Sequence, residues 1–286
     1  MTRNKATAIG CVTIAFWSLL AVLSVLAIPV PPFLLNALSF GIGGIAGLIW
    51  IAVAGRFHLL RGIPLSAILF GTAGLFGYHA LYFFAMRMAP PAEAGLVNYL
   101  WPLLIVLFSG LLPGERLRRG HLIGAGLAFV GVAVIILGKG SSELAGRAVI
   151  GLALALLAAF VWATYSTGSR RMAAVPTEAV AIYCVLTALL SVVCHLLWED
   201  TLWPLSSGGW IAIVVMGLGP VGLAFYTWDV GMKHGNIQLL GVISYAAPLF
   251  STLALVIGGA ASLTPSIGLA ALLITIGAAI AARAGR

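Results

Sequence analysis

Two tyrosines four residues apart, Tyr78 and Tyr82, share one face of any helix that carries them, and His79 lies beside them. Further along, Asn98 and Trp101 stand three apart with Tyr99 between them. Pro102 follows, and its missing N–H frees a carbonyl on the preceding turn. A similar group recurs as Ser244, Tyr245 and Pro248, and single tryptophans sit at Trp17 and Trp162. Such side chains do not make or break covalent bonds together; they hold a solute. Aromatic walls suit a flat apolar group, while His79, Asn98, Ser244 and exposed backbone dipoles suit the amino and carboxylate ends of a zwitterion.

Each of these residues also has a plainer reading. The rings could pack helices or anchor them at an interface, His79 could satisfy a backbone carbonyl, and Pro102, Pro220 and Pro248 could accommodate curvature instead of breaking or hinging a helix. The acids read as structural. Asp229 has Lys233 one helical turn away, and Glu93 follows Pro90 and Pro91 at a helix start with Arg87 close by. Glu115, amid Arg116, Arg118 and Arg119, reads as a solvated loop, and so does Glu199 with Asp200.

Enzymatic chemistry finds no support. Neither H-E-x-x-H nor G-x-S-x-G occurs, and no Walker A motif offers ATP drive. Gly217, Gly219 and Gly222 mimic dinucleotide-binding spacing, but they lie in an apolar run with Pro220 and read as close helix packing. Cys11, Cys184 and Cys194 show neither paired nor metal-ligand spacing. The expectation is therefore no enzyme, no metal and no cofactor.

The elements that must position these side chains follow from composition. The chain has 286 residues, 62% hydrophobic and only 8% charged, with a mean hydropathy of +1.14. A water-soluble domain could not solvate such a surface, so the expected solvent is the lipid bilayer. Apolar runs fall near residues 6–27, 33–54, 66–86, 92–112 and 121–138, then near 147–167, 179–197, 208–230, 236–257 and 266–283. Each is roughly long enough to cross a membrane as a helix, and none alternates as a barrel strand would. With the N-terminus inside, 12 of the 15 Lys and Arg residues lie on the inner side, which predicts cytoplasmic termini and ten spans. The net charge of +8 is thereby a matter of topology and lipid head groups, with no nucleic-acid partner implied.

Pro102 and Pro248 define an internal offset of 146 residues that also pairs Gly71 with Gly217, Met86 with Met232, Gly95 with Gly241, Tyr99 with Tyr245 and Leu103 with Leu249. With one residue of slippage Trp17 meets Trp162. The expected fold is an all-α membrane protein: ten transmembrane helices in two inverted five-helix repeats, residues 1–140 and 141–286, forming one transmembrane domain around a central cavity. Repeats with an odd number of spans enter the membrane in opposite senses, the arrangement used for alternating access.

With that two-times-five plan, Trp17 near the middle of the first helix and the segment AMRMAPPAEAGLVNYLWPLL at residues 85–104, the chain resembles the drug/metabolite transporter superfamily, in particular its EamA-type branch. The aromatic series Tyr78, His79, Tyr82, Tyr99 and Trp101 is similar to that of the YddG-type aromatic amino acid exporters. The resemblance implies a bacterial inner-membrane exporter of aromatic and other neutral amino acids or similar small amphipathic metabolites. It leaves open a drug-cation or threonine-type exporter of the same superfamily and a non-transporting accessory subunit. The expected substrate site comprises Trp17, Tyr78, His79, Tyr82, Asn98, Tyr99, Trp101, Trp162, Ser244 and Tyr245, lined by the third, fourth, eighth and ninth helices. Proton exchange and facilitated diffusion both stay open, and so does the oligomeric state, a monomer being compatible with the reading.

Overall fold

The computed structural model describes residues 1–89, 91–137, 146–257 and 265–284, and within these every regular element is helical. The helices are α1 (Arg3–Ser18), α2 (Leu20–Leu26), α3 (Pro32–Val53), α4 (Leu65–Met88), α5 (Pro91–Asn98), α6 (Trp101–Ser109) and α7 (Arg119–Leu137). They continue as α8 (Arg147–Arg171), α9 (Ala179–Trp198), α10 (Ser207–Leu218), α11 (Ala224–His234), α12 (Ile237–Ile243), α13 (Ala246–Ile257) and α14 (Pro265–Ala284). A 3-10 turn covers Phe57–Leu60, and a π-turn, Gly219–Leu223, joins α10 to α11. Six helical stretches among the described residues are long and apolar enough to cross a membrane: Arg3–Ser24, Pro32–Val53, Leu65–Met88, Arg147–Arg171, Ala179–Trp198 and Ser207–His234.

Local chemistry sets the boundaries. Proline stands in the first turn of α3 and α6, where its lost N–H has no intrahelical partner anyway. Side-chain oxygens of Thr2, Ser206 and Asn236 accept from the first-turn N–H groups of α1, α10 and α12. Gly55 and Gly62, at φ of 65° and 85°, turn the chain on either side of the 3-10 segment.

Several expected runs are interrupted. The run at 92–112 is two short helices with Tyr99 and Leu100 between them, and Pro102 starts the second. The run at 236–257 breaks likewise at Ser244 and Tyr245, with Pro248 in the first turn of α13. Pro220 sits inside the π-turn. The first run also breaks, at Leu19, without any proline to announce it.

Four long pairings organise the bundle: α7 with α14, α3 with α9, α4 with α8 and α1 with α11. Small residues set their spacing. A Cβ on Gly10 would stand 3.0 Å from the Cα of Gly231, and Gly124 and Gly277 face each other's carbonyl oxygens. Gly217 and Gly222 pack against Ser39, Ile42 and Gly43 of α3, so the dinucleotide-like spacing is a helix seam.

One end of the bundle, the basic end, gathers the N-terminus with Arg56, Glu115, Arg170 and Lys233; the opposite end carries Arg87, Glu199 and Arg147. Both loop acids depart from expectation. Glu115 is a hub whose carboxylate takes Arg3 at 3.0 Å, Arg170 at 2.8 Å and the Gln238 amide at 3.1 Å. Arg170 also donates to the carbonyls of Lys233 and Gly235, both at 2.6 Å. At the opposite end the Glu199 side chain is 1% exposed. It accepts from the backbone N–H groups of Phe33 and Leu34 at the start of α3, pairs with Arg87 at 2.9 Å and meets His195 at 3.1 Å. Arg87 thus serves Glu199; the side chain of Glu93, its expected partner, lies outside the described residues. The expected Asp229–Lys233 pair is present at 2.8 Å. Lys233 reaches the Val175 carbonyl and Asp229 takes the Thr177 hydroxyl, which binds the α8–α9 loop to α11.

Candidate functional site

At the level of the helix breaks, rings from both halves of the chain converge. Trp17 of α1 stands at their centre, with ring centroids 5.9 Å from Trp101, 5.6 Å from Trp162, 5.1 Å from Trp228 and 6.2 Å from Phe225. Its indole N–H donates to the Pro220 carbonyl at 3.1 Å, and the Trp228 indole donates to the Ser166 hydroxyl at 3.0 Å, so two of the tryptophans are oriented by hydrogen bonds as well as by packing. Trp101, Trp162 and Trp228 are 4%, 2% and 1% exposed and form a closed floor.

Above this floor the side chains open. Trp17, Tyr78, His79, Tyr82, Phe83 and Tyr99 are only half-buried, whereas Leu75, a turn nearer the basic end on α4, is fully buried. On α8, Ala163, Tyr165, Ser166, Thr167 and Ser169, beyond Trp162 toward the basic end, are buried, while Thr164 on the opposite face is exposed. The cluster is therefore sealed toward the basic end.

Tyr78 stacks on Tyr82 at 6.0 Å and lies 5.0 Å from Trp162. Its hydroxyl accepts from the Asn98 amide at 3.1 Å, which leaves the phenolic proton free to donate. The Asn98 carbonyl oxygen is buried and without a partner among the described residues. His79 holds Nδ1 at 2.7 Å from the Leu75 carbonyl. A carbonyl can only accept, so Nδ1 carries the proton and Nε2 of the neutral ring is an acceptor. Phe40 and Tyr78 meet this imidazole edge-on at 4.9 and 5.0 Å.

The residues expected from sequence divide into three groups. Trp17, Tyr78, His79, Tyr82 and Tyr99 present surface; Tyr99 also packs on the neighbouring cluster around Ile14 and Val242. Asn98, Trp101 and Trp162 lie beneath and support the rings. Ser244 and Tyr245 do not join the site. The Ser244 hydroxyl donates to Leu240 within its own helix, and Tyr245, 0% exposed, packs on Phe129 and takes the Leu103 N–H at 3.2 Å. The ninth run thus braces the break in the fourth instead of joining the ring cluster. Phe225 and Trp228, by contrast, join the ring cluster and were not among the residues expected from sequence. The 146-residue offset could have found them, since it carries His79 onto Phe225 and Tyr82 onto Trp228. Phe40 had no such signal.

The described lining contains no charged side chain, and Asp229, next to Trp228 in the chain, is committed to Lys233 and Thr177. No cluster of three His, Cys, Asp or Glu residues able to hold a metal occurs among the described residues.

A family model described as the EamA-like transporter family matches residues 5–137 and again 149–283. The chain belongs to this family. Among its relatives, the "Aromatic amino acid exporter YddG" of Ancylobacter novellus is 50% identical over 98% of both chains. The exporter of the same description from Escherichia coli K12 is 28% identical over 88% of both. A solved crystal structure with 50% identity superimposes with a TM-score of 0.94, covering 98% of this chain and 97% of the other. As an EamA-family member the protein is a multi-pass membrane transporter and not an enzyme.

Proposed function

We propose that this protein exports aromatic amino acids, and other neutral amino acids of similar shape, across the bacterial inner membrane by alternating access. The observation that carries the reading is the ring cluster around Trp17: a closed aromatic floor beneath a half-buried wall of Tyr78, His79, Tyr82 and Tyr99. An aromatic side chain would stack on the floor. Its ammonium would donate to Nε2 of His79, and its carboxylate would take the free phenolic proton of Tyr78. With no charged group in the described lining, a zwitterion without net charge fits and a dication does not. The relatives named as aromatic amino acid exporters support the same substrate class.

The architecture in this reading is ten spans in two inverted repeats, residues 1–140 and 141–286, with both termini cytoplasmic. Four of the spans are broken or bulged: α1 with α2, α5 with α6, α10 with α11 and α12 with α13. Two features support the repeat. The family model matches twice, and the pairings exchange among themselves when the halves are swapped, α4 with α8 becoming α11 with α1. The basic end is then cytoplasmic, as the placement of Lys and Arg requires. The seal around Glu115, Arg3, Arg170 and Gln238 closes the inner side while the ring wall faces outward. Rocking one repeat against the other would break that seal and admit substrate from inside.

Counterflow of labelled phenylalanine in proteoliposomes containing only this protein tests the proposal. Saturable uptake that collapses in His79→Ala and Tyr82→Ala is the expected result. Wild-type rates in both variants would overturn the site, and transport of threonine or a methyl viologen-like cation alone would overturn the substrate. Repeating the uptake with an imposed proton gradient decides between exchange and facilitated diffusion.

A further inference from the structure

Away from the ring cluster, a lateral groove of about 640 Å³ runs along the outside of the bundle, within the size range of small-molecule sites. Its walls are Ile9 of α1 and Ala46 and Trp50 of α3; its floor is the π-turn and the Tyr226, Thr227 and Val230 face of α11. The seam is tight beneath it, since Gly47 lies against the Tyr226 ring and Gly43 against Gly222. Large apolar side chains around it, Ile45, Ile49, Val53, Leu218 and Leu223, are exposed, so the groove opens toward the hydrocarbon in which such a surface must sit. None of these residues belongs to the proposed substrate site.

Length and polarity identify an occupant. From Gly43 to the end of α3 at Val53 the helix rises about 15 Å, half of a bilayer core of about 30 Å. The groove therefore spans one leaflet, from midplane to head-group level, and ends at the basic end. There Arg56 stands at its mouth, its guanidinium 5.6 Å above the Trp50 ring and 3.0 Å from Glu178, with the side chain 47% exposed. Glu178 also lines the mouth and is 4% exposed; it engages one terminal nitrogen of the guanidinium, whose side chain is 47% exposed and keeps the other donors of the fork for a second anion. His234 is the other basic side chain lining this end. A water-soluble anion would use the mouth and leave about one leaflet's depth of apolar channel unfilled.

We propose that the groove is a binding site for one anionic glycerophospholipid of the leaflet at the basic end, with an acyl chain along Ala46, Gly222 and Val230 and the phosphate on Arg56. The helix turn that floors the groove carries Phe225 and Trp228 on its other face, so the lipid backs the wall of the ring cluster.

Native mass spectrometry of delipidated protein in detergent tests this with phosphatidylglycerol, phosphatidylcholine of the same chains, and glycerol phosphate as the soluble competitor. One saturable phosphatidylglycerol adduct is expected, favoured over phosphatidylcholine and unaffected by glycerol phosphate. Ala46→Phe, which fills the groove, should weaken both lipids, whereas Arg56→Gln should remove the preference for phosphatidylglycerol, a loss of about tenfold. Melting temperatures in detergent verify that both variants fold; should one fail, brominated phosphatidylglycerol, whose acyl chain quenches Trp50, provides the readout through loss of quenching in Trp50→Phe. An equal response to both lipids, an undisturbed adduct in a folded Ala46→Phe, or displacement by glycerol phosphate would each overturn the proposal. Phenylalanine counterflow plays no part in this readout, so it stands or falls separately from the transport assignment.

Discussion

Glu115→Gln should release the basic end. The carboxylate joins three partners drawn from α1, α8 and α12, and replacing one oxygen by an amide removes the charge that holds both arginines. Its pair with Arg170 is well shielded, with side chains 12% and 18% exposed, and a charge-assisted bond there is worth about 1.5–2 kcal/mol. Arg3 is 53% exposed, so solvent screening cuts its share to about 0.3 kcal/mol. Together the loss is about 2 kcal/mol against the closed state, roughly a 30-fold shift toward opening. Arg170 keeps its bonds to the Lys233 and Gly235 carbonyls, so the helices stay anchored and the chain should still fold. Spin labels at the exposed positions Arg116 and His234 would follow the separation of the two segments that the network joins. The variant should gain a longer-distance population that Glu115→Asp partly suppresses. A distance distribution identical to the parent's would refute Glu115 as a closure element.

Three further outcomes follow from named contacts. Trp228→Ala removes the ring 5.1 Å from Trp17 and opens a cavity under the site; it should destabilise by about 3–5 kcal/mol and raise the KM for phenylalanine, checked by melting in detergent and by counterflow. Glu199→Gln weakens the cap on the Phe33 and Leu34 N–H groups and the pair with Arg87, so the melting temperature should fall by an amount equivalent to about 1–3 kcal/mol while substrate affinity is unchanged. Gly124→Leu puts a branched side chain against the Gly277 carbonyl in the α7–α14 seam, and low yield of folded protein, read by size-exclusion chromatography, is expected.

The helical character of the runs was legible because it is local. An apolar segment in lipid must satisfy its own backbone, and long runs without alternation leave only a helix. Breaks at Tyr99 and Ser244 were legible through Pro102 and Pro248, while the break at Leu19 carries no such mark. The aromatic site was legible where rings stood close in sequence, as Tyr78, His79 and Tyr82 do. Phe40 was invisible, since nothing in the residues around it states which way α3 is turned about its axis. Ser244 and Tyr245 show the converse: their correspondence with Asn98 and Tyr99 is real in sequence, but α12 and α13 turn them into the packing of the neighbouring cluster.

The sequence by itself determined that the chain lives in lipid, that its charges gather at one end and that its halves echo one another, because hydropathy, charge and repetition are properties of short stretches read one at a time. Only the tertiary structure decided which stretches meet. Glu115 and Glu199 look like solvated loop acids in isolation, and each becomes a hub because helices distant in sequence bring donors to it, arginines and an amide to the half-buried Glu115, an arginine and backbone N–H groups to the buried carboxylate of Glu199. The ring cluster has the same origin: Trp17, Trp101, Trp162 and Trp228 lie far apart along the chain, and helix packing alone brings them within about 6 Å of one another.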